Sequence, residues 1–460
     1  MGDFRETLYT VDAHGRRRWV YPSLVRGYFH RRRVFVIWAL LLFYVSMPWI
    51  KIGGKQAILL DLFERKFVFF GMTLWATDTL FLALALGALG ISLFFFTALL
   101  GRVWCGWACP ETVFLEFLFR PIEAAIEGGP SERRKLDAAP WSLHKLRIKG
   151  TKYFIYSLLA WFLASTLLAY FVGREALLQM MGSPPTENLS LFLLTLAMMG
   201  VLLFQFGWFR EQFCTVVCPY ARFQSVLMDA QSLLVGYDKV RGEPRGKVSR
   251  GDNTQKGDCV DCGLCVRVCP TGIDIRNGTQ LECIHCAQCV DACDSIMEKV
   301  GRAPGLIRYD TEAALQGGTR QILRPRVLIY GALLLVYSSA FFYLLRHHEL
   351  SEAQLMRNKG GLPYQLLGDG RISNPLHLHL SNKGDHDESY TVQSATSGVE
   401  VVVPMNPFPV ASGSLGTLPV FLNFTIDAAK VEPTAEIIVR GADGFEKRLK
   451  IMLMVPDAPR

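Results

Sequence analysis

The sequence predicts a multi-domain membrane protein with five transmembrane α-helices, a cytoplasmic two-cluster ferredoxin-like insert and a C-terminal immunoglobulin-like β-sandwich. Three observations carry this reading. Half of the 460 residues are hydrophobic, and they gather into runs as long as a bilayer is thick. The stretch CVDCGLCVRVCP is followed after a short link by CIHCAQCVDACD. From about Ser351 onward, short alternating apolar runs are separated by Gly, Pro, Asn and Asp.

Residues 1–33 form a basic arm expected at the cytoplasmic lipid surface, with Arg16, Arg17, Arg18, Arg26, Arg31, Arg32 and Arg33 among Tyr21, Tyr28 and Phe29. The apolar runs are Val34–Ile50, Thr79–Leu100, Tyr153–Val172, Leu189–Phe209 and Arg326–Leu345. Arg31–Arg33 precede the first run and no small-residue cleavage site follows it, so it reads as an anchor rather than a removed signal. The 101–152 loop holds nine Lys or Arg, whereas the 173–188 loop holds only Arg174. Basic loops stay in the cytoplasm, so the N-terminus, this loop and the cysteine-rich insert are expected inside. An odd number of spans then sends the C-terminus out. The net charge of +8 expresses that bias and is no nucleic-acid footprint. The expected parts are a four-span membrane domain over 34–234, the insert over 235–325, a fifth span over 326–345 and an outer domain over 351–460.

Each cysteine run of the insert reads C-x2-C-x2-C-x3-C, and the second repeats the first 24 residues on. Three thiolates spaced by two residues wrap one iron–sulfur cube, while the fourth lies too far along and ligates the other. Cys259, Cys262, Cys265 and Cys293 are therefore expected to hold one [4Fe-4S] cluster. Cys269, Cys283, Cys286 and Cys289 hold the second. Zinc is the bland alternative for CxxC pairs, but the doubled register fits it poorly. His285, inside the second run, is expected to tune hydrogen bonding at its cluster.

The other four cysteines form a second repeat. GRVWCGWACPETVFLEFLF follows the second apolar run and FREQFCTVVCPYARFQSVL the fourth. Each is C-x3-C-P with a phenylalanine nine residues after the first cysteine (Cys105 to Phe114, Cys214 to Phe223), so the membrane part reads as a duplicated two-span unit. An i, i+4 spacing places both thiols on one helix face, and Pro110 and Pro219 break or restart the helix. If the repeats pack about a pseudo-symmetry axis, Cys105, Cys109, Cys214 and Cys218 could converge at the cytoplasmic membrane boundary, where soft thiolates select Cu(I) or another soft metal. Small buried hydrophobes or a reversible disulfide within each pair are the alternatives. Met180, Met181, Met198 and Met199 are weaker copper candidates, being the usual packing residues of apolar segments. His377 and His379 share one strand face and offer a weaker outer copper site, two surface histidines being more often just solvated.

Five spans, two CxxxCP motifs (Cys105/Cys109/Pro110 and Cys214/Cys218/Pro219), the two-cluster insert and an outer β domain together resemble the FixG/CcoG/RdxA family over nearly the whole chain. Its members are accessory proteins for assembly of the cbb-type haem–copper cytochrome oxidase. The resemblance implies a bacterial inner-membrane oxidoreductase that reduces Cu(II) to Cu(I) for oxidase copper delivery. It implies copper association for Cys105, Cys109, Cys214 and Cys218, and oxidase subunits or assembly factors as partners. The doubled CxxxCP unit is also similar to that of quinol-oxidising ferredoxin-type membrane proteins of denitrification, so an electron conduit to a partner oxidoreductase stays open beside a non-catalytic assembly scaffold.

Overall fold

The computed structural model describes residues 10, 14, 16–62, 66–75, 79–247, 256–346, 350–357, 362–368, 370–384 and 386–456. The chain divides into two compact units. One is Met1–Glu64 with Val68–Gly71 and Leu80–Phe341, the other Arg65–Phe67 with Met72–Thr79 and Phe342–Arg460.

In the first unit, four helices among the described residues are long and apolar enough to cross a membrane: Leu80–Leu100, Leu143–Val172, Leu189–Phe209 and Pro325–Arg346. The count of five expected from the apolar runs is not reached on length and composition. The expected first span lies in helix Tyr28–Ser46, whose opening turns carry Arg31–Arg33. Its apolar part, Val34–Ser46, rises only about 20 Å at 1.5 Å per residue, short of a hydrocarbon core of about 30 Å.

Helix Leu143–Val172 is the hub. Half of its most apolar window is buried, against about a tenth or less in the other three. Tyr156 and Leu163 pack with Leu115, Phe119 and Phe206. The Phe119 and Phe206 rings stack at 4.7 Å, and Tyr156 donates to the Phe119 carbonyl at 2.9 Å. Without water in the bilayer, such van der Waals packing and internal hydrogen bonds carry helix association. Met180 belongs to this packing too, buried against Leu168 and Leu177 with Met198 beside it.

Many basic residues counted above as an orientation signal are buried. Glu123 pairs with Arg210 at 2.7 Å, Arg133 at 3.2 Å and Lys152 at 3.3 Å, while Glu127 pairs with Lys152 at 2.6 Å and Lys149 at 2.8 Å. Burial alone would raise the Glu123 carboxyl, but Arg210, Lys152 and Arg133 outweigh it and hold its pKa at about 2.

The second unit contains a two-sheet sandwich. One sheet orders Val399–Val402, Leu415–Phe424, Ile372–Asn382 and Ser351–Arg357, with Gln365–Leu366 also on Ile372–Asn382; the other orders Phe408–Val410, Glu388–Ser394, Thr434–Gly441 and Glu446–Met452. All described pairs within these sheets are antiparallel. Leu376, Leu378 and Leu380 alternate inward and meet Val420, Leu422 and Phe424 in one core. His377 and His379 point to the other face, and His379 Nδ1 lies 3.1 Å from the Thr417 hydroxyl. Six of these strands coincide with runs read from the sequence. The other three were missed because SEAQLMR carries charge through its alternation and the remaining two are very short.

Candidate redox site

The insert is closed by Leu233–Tyr237 pairing antiparallel with Ile307–Thr311. Between them the two cysteine runs repeat in conformation as well as in sequence. The residues before the second and after the second cysteine are left-handed in both: Asp261 (φ 51°) and Gly263 (φ 64°), then His285 (φ 52°) and Ala287 (φ 60°). Two reversals in three residues turn the chain around a centre. A helix then starts, Leu264–Arg267 in the first run and Gln288–Lys299 in the second, so the third cysteine falls in its first turn.

These turns wrap two cavities of about 350 Å³ each. One is lined by Cys259, Cys262, Cys265 and Cys293 beneath Tyr237 and Met297. The other is lined by Cys269, Cys283, Cys286 and Cys289, with Cys265 contributing to its wall as well. Each cavity thus receives three closely spaced thiols and one remote thiol, and the two share a wall. Burial pushes the pKa of Cys283 and Cys293 up to about 12 and that of Cys265 and Cys286 to about 11. Thiols this dry ionise only against a bound cation. Four inward thiols per apolar cavity therefore suit an iron–sulfur cube.

The inner cavity lies against the first CxxxCP motif. Cys105, Ile284 and Cys286 pack as one buried group with Tyr220 beside it. A Cβ on Gly106 would stand 2.5 Å from the Ile284 carbonyl oxygen and 2.8 Å from Cys286 N, so glycine is needed for this approach. His285 is fully enclosed. Its Nδ1 accepts from the Arg102 backbone N–H at 3.1 Å, and burial with the Arg102 charge pushes its pKa down to about 3, leaving a neutral ring. Tyr309 donates to the His285 carbonyl and accepts from Trp107 Nε1 at 2.9 Å.

The expectation that each CxxxCP pair shares one helix face does not hold. Cys105 sits in helix Val103–Trp107 and Cys214 in the π-helical turn Phe213–Val217, but Cys109 (ψ 128°) and Cys218 (ψ 112°) are extended. A proline disfavours helical backbone in the residue before it, and Pro110 and Pro219 each open the next helix. The two motifs nevertheless approach one another. Burial raises the thiol pKa of Cys105 to about 11 and those of Cys109 and Cys214 above the ordinary value. Cys105 Sγ donates to Gln224 Oε1 at 3.1 Å, and Cys214 shares a cavity of about 270 Å³ with Glu111, Thr112, Pro270, Thr271 and Ile284. All twelve cysteines are free. Among the described residues, no three His, Cys, Asp or Glu side chains converge tightly enough for a single metal ion.

Comparison with known proteins agrees with this architecture. A 4Fe-4S dicluster domain matches residues 209–312, a 4Fe-4S binding domain residues 79–127, and an Ig-like fold at the C-terminus of FixG residues 341–456. Protein RdxB of Cereibacter sphaeroides is 35% identical over 93% of this chain and 92% of its own length. Nitrogen fixation protein FixG of Rhizobium meliloti is 36% identical over 82% of this chain and 80% of its own. Protein RdxA of Cereibacter sphaeroides is 32% identical over 88% of each. The chain belongs to the FixG/RdxA family. With its matched 4Fe-4S domains and apolar helices, this FixG/RdxA chain is a multi-pass membrane iron–sulfur electron-transfer protein.

Sequence reasoning missed the residues that seat the insert on the membrane helices of this family member. Arg33, read as one of three surface arginines, is fully buried, and its Nε donates to the Gly106 carbonyl at 2.9 Å. Its spacing from Ile37 and Leu41, which are buried on the same helix face, was the available signal. Asp291, inside the second cysteine run, accepts from the Phe29 and His30 backbone N–H groups at 3.0 and 2.7 Å. It caps the first helix from the insert, a contact across more than 260 residues that no local pattern reveals.

Proposed function

We propose that this chain carries single electrons from the cytoplasm to Cu(II) at the membrane boundary and releases Cu(I) for assembly of a cbb-type cytochrome oxidase. In this reading helix Tyr28–Ser46 is the first of five membrane segments of a bacterial inner-membrane protein. The N-terminus and insert face the cytoplasm, and the Ig-like domain faces the periplasm to dock oxidase subunits or assembly factors. Cys259, Cys262, Cys265 and Cys293 hold one [4Fe-4S] cluster, and Cys269, Cys283, Cys286 and Cys289 the other. When bound, the cubanes supply one-electron relay chemistry at low potential, matched to a one-electron acceptor.

The protein's own part is placement. Cys262 is the exposed ligand of the outer cavity, open to a soluble donor. Cys265 lines both cavities. The observation that carries the reading is the packing of Cys105 directly on Ile284 and Cys286, which brings the inner cavity into contact with the CxxxCP motifs. Cys105, Cys109, Cys214 and Cys218 are thus assigned to the exit of the relay, where one electron converts Cu(II) to Cu(I). The purified full chain, reduced by dithionite and freed of excess reductant, is expected to form Cu(I), trapped by a colorimetric chelator, while its cluster absorbance bleaches in reverse. Equal rates after replacement of the four CxxxCP cysteines by serine would refute that assignment.

A second reading has one observation in its favour. A cleft of about 720 Å³ lined by Arg31, Arg32, Phe35, Val36 and Trp107 opens beside helix Tyr28–Ser46, and Trp107 leads through Tyr309 to His285. A quinol headgroup there makes quinol the donor of the same relay. Reduction of the clusters by a short-chain quinol, lost in Trp107→Ala, is its test.

A further inference from the structure

We propose that His377, His379 and Met356 hold one copper ion on the outer face of the Ig-like domain, in a site of two imidazoles and one thioether that favours Cu(I). All three residues lie in the second compact unit, so the site stands or falls independently of the relay and its acceptor.

Strand register places the three donors together. His377 and His379 stand two residues apart on strand Ile372–Asn382 and share its outward face, while Leu376, Leu378 and Leu380 fill the core. Two residues of extended chain set their Cα atoms about 6.7 Å apart. Strand Ser351–Arg357 runs antiparallel beside it at the sheet edge, and its Met356 is the direct partner of His377. Directly opposed residues have Cα atoms about 4.5–5.5 Å apart and side chains on one face. The three side chains thus rise from one small triangle, each long enough to reach a shared point above it. Met356 is 46% exposed, so its thioether is open to an ion arriving from solvent.

The surroundings prepare the rings. His379 Nδ1 lies 3.1 Å from the Thr417 hydroxyl on strand Leu415–Phe424, across the sheet from Met356. When that hydroxyl accepts, Nδ1 carries the proton and Nε2 keeps its lone pair for a metal, the outer-shell arrangement that orients metal-bound histidines. His377 Nδ1 is enclosed and has no hydrogen-bond partner among the described residues, the kind of nitrogen that a bound ion satisfies. Its other cross-strand neighbour, Pro419, brings no polar side chain. Gln354, opposite His379, donates to Glu352 at 2.8 Å, and Glu352 is paired with Lys383 at 3.2 Å.

Donor chemistry names the ion. Imidazole alone suits zinc, nickel and copper alike, whereas a thioether is soft and selects Cu(I). Among the described residues no third His, Cys, Asp or Glu joins the pair, so the donor that completes the set is the one that discriminates against zinc.

The test is anaerobic Cu(I) competition against a colorimetric chelator in the purified full-length protein, with X-ray absorption at the copper edge. The wild-type chain is expected to hold one copper more than the His377→Gln/His379→Gln double variant, with nitrogen and thioether sulfur around that ion and equal iron in both proteins. Met356→Leu should weaken Cu(I) binding at this site by about tenfold or more, at least what loss of an outer-shell partner costs a metal site, and leave Zn(II) affinity unchanged. Equal copper in the wild-type and double-variant chains would overturn the site. Tighter binding of Zn(II) than of Cu(I), or wild-type Cu(I) affinity in Met356→Leu, would overturn it too. Met356→Leu conserves volume at an exposed position, so its result decides even where the double variant fails to accumulate. A chain that shows the extra copper but reduces no Cu(II) would refute the reductase reading and uphold this site.

Discussion

The two sets of cysteines are both built by duplication, yet the duplications preserve different things. In the insert, the copy preserves backbone: Asp261 and Gly263 are left-handed, and so are His285 and Ala287. In the membrane part, the copy preserves only the break. Pro110 and Pro219 each open a helix, but the first cysteine stands in an α-helix at 105 and in a π-helical turn at 214. A site whose ligands lie within one short stretch is specified by local turns. One whose halves lie more than a hundred residues apart is specified by packing, and there each half is free to differ in local structure.

The contact joining the two regions offers the largest expected effect. Gly106→Val would push a side chain into the Ile284 carbonyl and the Cys286 backbone, which cannot yield without moving the inner cavity off the CxxxCP motif. Iron held by the insert is expected to be retained, because its cysteines are untouched. Oxidation of the reduced clusters by Cu(II) should slow, because the gap that electrons must cross from the inner cavity to the CxxxCP motif widens. An unchanged rate would mean that electrons leave the insert elsewhere.

Arg33 tests the same seam from the other side. Arg33→Met removes the buried charged donor to the Gly106 carbonyl, a contact worth about 1.5–3 kcal/mol. The thermal midpoint in detergent should fall accordingly. Arg32→Met, at an exposed neighbour, is expected to stay within about 0.5 kcal/mol of wild type. Equal shifts would mean that the buried arginine is not a structural pin.

What was legible in the sequence follows this division. The ligand spacing of 259–293, the apolar helices and six sandwich strands could be read because period and local turn chemistry encode them. Arg33 was overlooked because a charge count treats Arg31, Arg32 and Arg33 alike and passes over its helical spacing from Ile37 and Leu41, and Asp291 could not be read because it caps a helix far away in sequence. The common helix face expected for each CxxxCP pair failed because spacing was weighed ahead of the proline that follows it. The basic loop 101–152 was read as orientation alone, whereas Glu123 and Glu127 neutralise much of it internally.

That buried network separates the regions by pH. Glu123 is held at about 2 against an ordinary 4.5. A carboxyl depressed on folding contributes stability that is fully present above about pH 4.5 and is lost as pH falls toward 2. The thermal midpoint should drop through that window. In Glu123→Gln the midpoint should already be lower at neutral pH, because Arg210, Arg133 and Lys152 lose a buried counter-charge, and the acid drop should be shallower. A variant with the wild-type acid profile would place the acid-sensitive groups elsewhere.

The smallest effect probes the duplicated turn itself. Gly263 and Ala287 occupy equivalent left-handed positions, and a Cβ at Gly263 would meet nothing within 4 Å. Gly263→Ala therefore isolates the backbone cost of that conformation, about 1 kcal/mol. Ala287 already carries that cost, but its methyl is buried in the wall of the inner cavity. Ala287→Gly exchanges conformational relief for lost packing and greater freedom of the unfolded chain, and should change stability by less than about 0.5 kcal/mol. Urea midpoints of the iron-loaded chain read both. A larger loss from Ala287→Gly than from Gly263→Ala would mean that packing at the inner cavity, not the turn, fixes the geometry of the second run.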